Sequence, residues 1–360
     1  MALLDTTWPD GDGALDGPAR PGTQRVAAGN DSLVDPLGRS ITYLRVSITD
    51  RCNFRCHYCM AGQPAFVPKN ELLSLEEIER ACAVFVHLGI SKVRVTGGEP
   101  LLRRGVIGLF RALGRLLASR EGSELTLTTN GGLLASHARD LADCGVGRVN
   151  VSLDSRDPER FRSITGGDLR RVLDGLDASR AAGLQVKLNA VALRGVNDDE
   201  LPDMVGWCGA QGYDLTFIEL MPTTGAAGFD SRTRFLSMTS VRASLARRWT
   251  LTDIPDRTGG PARYVLVEET GGRVGFISPL SDNFCSGCNR VRMTATGRLF
   301  TCLGHSDAVD LRAPLRHGAS EQKLKSAIRA AIARKPERHH FAGDGTGSRV
   351  CGGSMNVTGG

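Results

Sequence analysis

From Tyr43 to about residue 250 the chain alternates short apolar strands with amphipathic helices, a pattern that few folds accept. The strand candidates are 43–48, 92–96, 125–129, 148–153, 186–190 and 215–220, with helical segments at 75–88 and near 106–119, 137–143, 170–182 and 201–210. In the first helix Ser74 and Glu77 form a capping box, and Leu75, Ile78, Cys82, Phe85 and Leu88 share one face before Gly89 ends the run. Six β/α repeats require a parallel sheet covered by helices, either a partial barrel or a doubly wound sheet. The unusual segments favour the barrel. Thr96-Gly97-Gly98-Glu99-Pro100, Thr128-Thr129-Asn130-Gly131, Asp154-Ser155 and Met221-Pro222 all fall at C-terminal strand ends, the edge where parallel sheets place their chemistry.

Around this α/β core the pattern predicts a flexible leader over 1–38, a barrel over 39–250, a smaller C-terminal region over 251–345 and a glycine-rich tail over 346–360, too rich in glycine for a helix. Forty-five basic against 39 acidic residues leave a formal charge of +6. That excess suits an anionic ligand and is too mild for a nucleic-acid surface. The N-terminus lacks a signal pattern, and no run approaches the roughly 18 apolar residues of a membrane span, so a soluble cytoplasmic protein is expected. Thiols stay reduced in that compartment, which turns attention to the ten cysteines as metal ligands or core residues. Cys82, Cys144 and Cys208 lie in apolar or helical stretches and read as core; Cys351 reads as an exposed thiol.

The other six form two triplets, Cys52-x3-Cys56-x2-Cys59 and Cys285-x2-Cys288-x13-Cys302. Neither has a fourth cysteine, so each suggests a metal centre that keeps one position open for chemistry. The first sits on a loop just after the first strand, where three thiolates can wrap one cubane cluster; a zinc site completed by His57 or a remote residue is the alternative. In the second, His305 follows Cys302 by three positions, and C-x2-C with C-x2-H also reads as a structural zinc ribbon. Next to it, Arg290 and Arg292 alternate on a short strand and point to one side, a pair suited to phosphate.

The spacing at positions 52, 56 and 59, with Gly97-Gly98-Glu99 one β/α unit later, resembles the radical S-adenosylmethionine superfamily. The resemblance implies that the open iron of a 4Fe-4S cluster chelates S-adenosylmethionine and cleaves it reductively to a 5′-deoxyadenosyl radical, with cofactor contacts from Tyr58, Gly97, Gly98, Glu99, Ser152, Asn189 and Met221. Within that superfamily the segments L-R-V-S-I-T-D-R-C-N-F-R-C-H-Y-C, K-V-R-V-T-G-G-E-P-L-L-R, F-I-E-L-M-P and F-C-S-G-C-N-R-V-R-M-T, with the terminal Gly359-Gly360, are similar to the GTP 3′,8-cyclase family of molybdenum-cofactor biosynthesis. That similarity implies a partial (β/α)6 TIM-like barrel whose C-terminal extension holds an auxiliary 4Fe-4S cluster on Cys285, Cys288 and Cys302, with the guanine of GTP at its open iron. It further implies hydrogen abstraction from ribose C3′, attack on guanine C8 and reduction to (8S)-3′,8-cyclo-7,8-dihydroguanosine 5′-triphosphate.

The GTP contacts implied in the same way are Arg45, Lys92, Arg94, Thr128, Lys187, Arg290, Val291 and Arg292. Arg290, Arg292 and the Gly359-Gly360 tail would take part in the reaction, and Glu219 would orient or support. An external low-potential electron donor, a homodimer, delivery of product to cyclic pyranopterin monophosphate synthase, and no nucleic-acid or membrane partner complete the expectation. The sequence departs from the family at Thr216, where an arginine commonly precedes F-I-E. Two alternatives stay open: another radical enzyme with an auxiliary cluster, acting on a peptide or small molecule, and a zinc-stabilised nucleotide-binding protein without catalysis.

Overall fold

The structure is a computed structural model and describes residues 32–60, 66–222, 229–255, 259–341 and 355–359. Six parallel strands run in sequence order: Tyr43–Ser47 (β1), Lys92–Thr96 (β2), Glu124–Thr129 (β3), Arg148–Ser152 (β4), Gln185–Ala192 (β5) and Asp214–Glu219 (β6). Their alternation sets which face is dry. On β1, Leu44 and Val46 enter the hydrophobic core with Val93, Val95, Leu125 and Leu127, while Tyr43 and Arg45 face a central cavity.

The helices that cover the sheet follow the predicted rhythm: Leu75–His87 (α1), Val106–Ala118 (α2), Ala138–Asp143 (α3), Pro158–Thr165 (α4), Leu169–Ala181 (α5) and Leu201–Gln211 (α6). The Ser74–Glu77 capping box forms at α1. Helix α4 was not expected, because P-E-R-F-R-S-I-T is mostly charged and polar, with Phe161 and Ile164 its only large apolar residues; Asp157 caps it at Arg160 N (2.7 Å) and Gly166 ends it in the left-handed conformation. Cys82, Cys144 and Cys208 are buried in the core, as their settings predicted.

Beyond residue 250 the chain extends the same sheet at both edges. Leu251–Ile254 (β7), Arg263–Val267 (β8) and Gly272–Ile277 (β9) add beside β6, with β9 parallel to it; Arg290–Met293 (β10), Arg298–Phe300 (β11) and Ala308–Asp310 (β12) add beside β1, with β10 parallel. The segment between β9 and β10 therefore travels from one edge of the six-strand set to the other. It carries Cys285 and Cys288 with it.

Two expectations need correction. Residues 32–38, assigned to a flexible leader, are anchored: Leu33 is in the core, Val34 bridges Ser40, and Asp35 pairs with Arg39 at 2.5 Å. Despite its glycines, the tail forms a short helical turn at Met355–Thr358, with Asn356 and Thr358 buried. The leader over 1–31, Cys351 and Gly360 lie outside the described residues. No helix among the described residues is long and apolar enough to cross a membrane.

Candidate functional site

A cavity of about 310 Å³ occupies the inside of the six-strand set, and both cysteine triplets reach it, through Cys52, Cys56 and Cys59 on one side and Cys288 and Cys302 on the other. Cys285, the remaining member, is buried and does not line the cavity. The first triplet lies on the loop after β1. That loop is pinned by backbone bonds from Arg55 N to Thr165 O (2.7 Å) and His57 N to Ile164 O (3.0 Å), and by Phe54, whose ring fills the space a side chain at Gly167 would need. Asn130 Nδ2 donates to Asn53 Oδ1 at 2.8 Å and approaches Cys52 Sγ at 3.6 Å.

Burial raises all three thiols, and the neighbouring thiolates add to the effect at Cys56 and Cys59; Cys59 is pushed up to about 12. Arg55 offsets little of this at Cys52, so deprotonation here calls for positive charge from a bound group. An iron-sulfur cluster supplies such charge, and a set of three thiols whose only cationic influence is the small one of Arg55 on Cys52, among the described residues, fits it.

Among the expected cofactor contacts, Tyr58, Gly97, Gly98, Ser152, Asn189 and Met221 line the cavity. Gly97 and Gly98 have a packing reason as well: a Cβ at Gly98 would stand 2.4 Å from Arg51 O, so the loops after β1 and β2 touch backbone to backbone. Glu99 is enclosed just behind them. Its carboxylate accepts from Leu101 N (3.0 Å), Asn130 N (2.7 Å) and Thr129 Oγ1 (2.9 Å), and burial raises its pKa to about 7. Asp154 had no expected role beyond its place after β4. Its Oδ2 accepts from Tyr58 OH at 2.6 Å, its Oδ1 accepts from Val191 N at 2.9 Å, and burial lifts it to about 6.

The second triplet is held by cations. Arg39 Nη1 donates to Cys285 O at 2.7 Å, and the buried Lys335 Nζ donates to Arg290 O (3.0 Å) and Thr301 O (2.5 Å) while standing 3.6 Å from Cys288 Sγ. Burial would raise the Cys288 thiol, but Arg290 and Lys335 outweigh it and bring the group to about 7; Cys302 stays raised by burial. Sequence alone gave no sign of Lys335 or Arg39, both far from the triplet along the chain.

His305, the fourth donor that a zinc ribbon would need, has its Nε2 3.0 Å from Arg338 O and its ring 4.1 Å from that of His340.

Between the triplets lies a basic face. The register of β10, β1 and β2 sets Arg292, Arg45 and Arg94 side by side, and Arg290, Val291 and Lys187 join them on the cavity wall. Glu124, an acid that acts on Arg94, is taken up by Lys92 (2.6 Å) and Arg148 (2.5 Å); Lys92 itself is buried off the cavity wall. Arg45, Arg94, Arg290 and Arg292 have no ion pair of their own among the described residues. Burial, with Arg290 adding to it, lowers Arg292 to about 10. Arg45 Nε, Thr128 Oγ1 and Thr216 Oγ1 are buried without hydrogen-bond partners. Each such orphan costs about 1–3 kcal/mol, a cost a ligand can remove.

Lys187 Nζ donates to Tyr264 OH at 2.5 Å, and burial, then Arg94 and Arg148, lower its pKa to about 7. Thr216 is fully buried opposite Gly275, where a Cβ would stand 2.9 Å from its Oγ1, so this position adds no cation. Glu219 proves structural in its contacts, accepting from Met238 N (3.0 Å), Leu280 N (3.0 Å) and Ser281 N (3.1 Å). The tail enters the same region. Gly359 O accepts from Arg292 (2.8 Å) and Arg45 (3.2 Å), and Asn356 Nδ2 donates to Asp50 O (2.8 Å). Gly359 has φ +73°, and a Cβ there would stand 1.9 Å from Thr96 Oγ1, so only glycine fits.

Residues 46–208 match the family model of the radical SAM superfamily, and residues 213–341 match that of Molybdenum Cofactor Synthesis C. The chain is 58% identical over 311 residues to the GTP 3′,8-cyclase of Paracoccus denitrificans, covering 86% of this chain and 90% of the relative. It is 52% identical over 339 residues to that of Brucella suis, covering 94% and 98%. In fold it is similar to Streptococcus suis SuiB bound to S-adenosylmethionine, with a TM-score of 0.59 at 15% identity over 80% of this chain and 68% of that one. The parallel sheet, the cysteine loop at its C-terminal edge and the identity along nearly the whole length agree: this chain belongs to the GTP 3′,8-cyclase family, with the radical SAM fold, a partial barrel-like sheet and a C-terminal extension.

Proposed function

We propose that this protein is a GTP 3′,8-cyclase that converts GTP to (8S)-3′,8-cyclo-7,8-dihydroguanosine 5′-triphosphate in molybdopterin biosynthesis. The observation that carries the reading is that members of both cysteine triplets, and an arginine face that has no acidic partner among the described residues, open into one cavity. In this reading Cys52, Cys56 and Cys59 hold a 4Fe-4S cluster that binds S-adenosylmethionine, and Cys285, Cys288 and Cys302 hold an auxiliary one. When bound, the clusters and S-adenosylmethionine, fed by an external low-potential donor, supply the 5′-deoxyadenosyl radical.

The chain's own residues bind and orient. Tyr58, Gly97, Gly98, Ser152, Asn189 and Met221 form the cofactor side of the cavity, and Glu99 backs it with a carboxylate that an ammonium group would draw into its charged form. Arg45, Arg94, Lys187, Arg290 and Arg292 neutralise the triphosphate, with Thr128 adding a polar contact and Val291 a wall; Lys92, off that wall, adds charge from behind Tyr43. Gly359 brings backbone where a side chain would clash, and its carbonyl shares Arg45 and Arg292 with the substrate; Gly360, outside the described residues, would complete the tail's part in the reaction.

The test is anaerobic reconstitution followed by incubation with GTP, S-adenosylmethionine and dithionite. Loss of one hydrogen atom from C3′, followed by gain of an electron and a proton, predicts a product isomeric with GTP, accompanied by 5′-deoxyadenosine. GTP-independent deoxyadenosine with unchanged GTP would reject the reading.

A further inference from the structure

Tyr43 opens β1, and in register it stands between Lys92 of β2 and Arg290 of β10. Its ring lies 5.2 Å from Lys92 Nζ and 5.4 Å from Arg94. The residue is 1% exposed, it borders the cavity, and its hydroxyl has no hydrogen-bond partner. A buried phenol normally finds a partner for that group, because leaving it unpaired costs about 1–3 kcal/mol. Burial would raise its pKa, yet Arg94, Arg45, Lys92 and Arg290 outweigh that and hold it below the ordinary value. The surroundings are those of an anion site with the anion's own hydrogen-bond donor left over.

We propose that Tyr43 is a further substrate-binding residue, whose hydroxyl donates to a phosphate oxygen of the bound nucleoside triphosphate. The inference rests on the GTP reading above and adds a neutral donor to its set of cations. Cations set the depth of the electrostatic well, whereas a phenol on a rigid strand fixes where in the well one oxygen sits.

Tyr43→Phe in the reconstituted protein tests it. The substitution keeps the ring and its contacts with Lys92 and Arg94 and deletes an atom that bonds to nothing, so a purely structural role predicts an equal or higher melting temperature and unchanged nucleotide affinity. We expect GTP binding to weaken roughly tenfold or more, the loss of one hydrogen bond to a charged group. KM should rise more than kcat falls, and affinities for guanosine and S-adenosylmethionine should not change. GTP affinity within about twofold of the parent protein would overturn the proposal; an equal loss for guanosine would overturn the phosphate assignment. If the unmodified protein neither binds nor consumes GTP, the substrate reading fails, and that outcome is visible before any variant is made.

Discussion

The two cysteine triplets face one cavity from opposite electrostatic surroundings. Around Cys52, Cys56 and Cys59, burial and mutual repulsion push the thiols up, with Asp154 adding to the effect at Cys56 and Cys59. At Cys288, Arg290 and Lys335 reverse the effect of burial. The supports differ too. The first loop is wedged by an aromatic ring against glycines, and the second is clamped through its carbonyls by Arg39 and Lys335. A site whose ligands are costly to ionise depends on its metal for charge balance. One lined by cations has charge to share with a substrate. The difference fits the proposed division, with cofactor chemistry at the first triplet and anion orientation at the second.

The sharpest way to break this contrast is to remove one ligand from each side. Cys52→Ala should abolish both deoxyadenosine and cyclised product. Cys285→Ala should lower product by roughly a hundredfold or more, over 2.7 kcal/mol in the barrier, while measurable S-adenosylmethionine cleavage persists. Equal loss of both activities in the two variants, followed by mass spectrometry, would mean that the centres do not divide labour.

A smaller effect is expected at Lys335→Met, which leaves the carbonyls of Arg290 and Thr301 without their donor and removes a cation from Cys288. About 1–3 kcal/mol of stability should be lost per orphaned carbonyl, lowering the melting temperature. Iron should be lost from the second site ahead of the first, read by iron analysis beside a Cys52→Ala/Cys56→Ala/Cys59→Ala control. Uniform loss from both sites would remove the special role of this cation.

The mildest prediction concerns protons. Lys187 is lowered to about 7 by burial and by Arg94 and Arg148, so in the free protein it is charged below that pH and neutral above it. A bound polyanion favours the charged form, so GTP binding should take up to about one proton between pH 7 and the ordinary lysine value near 10.4, and almost none at pH 6. Calorimetry at pH 8.5 in buffers of different ionisation enthalpy measures this. Lys187→Met should remove the uptake, and uptake that survives the substitution would point to another group.

Much of the frame was legible because its signals are local. Apolar alternation within a strand, Ser74 before Glu77, and three cysteines within one loop all act over a few residues. Helix α4 escaped because its sequence is mostly charged and polar, with only Phe161 and Ile164 as large apolar residues, and the tail helix because glycine content hid the Met355–Thr358 turn. Asp154 beneath Tyr58, Lys335 beneath Cys288 and Tyr43 between Lys92 and Arg290 escaped for another reason. Their partners are remote along the chain, and their residue types are unremarkable on a strand, a loop or a helix end.

By itself the sequence determined the donors and the scaffold: six thiols in two spaced sets and a run of β/α units that must form a parallel sheet. The tertiary structure decided what each donor experiences. It added β10 to the edge of β1, which set Arg292 beside Arg45 and brought the Gly359 carbonyl to both, and it placed Lys335 against Cys288, whereas among the described residues the first triplet has only the small influence of Arg55 on Cys52. Coulomb and desolvation energies depend on distance through space and on burial, and neither can be read from spacing along the chain.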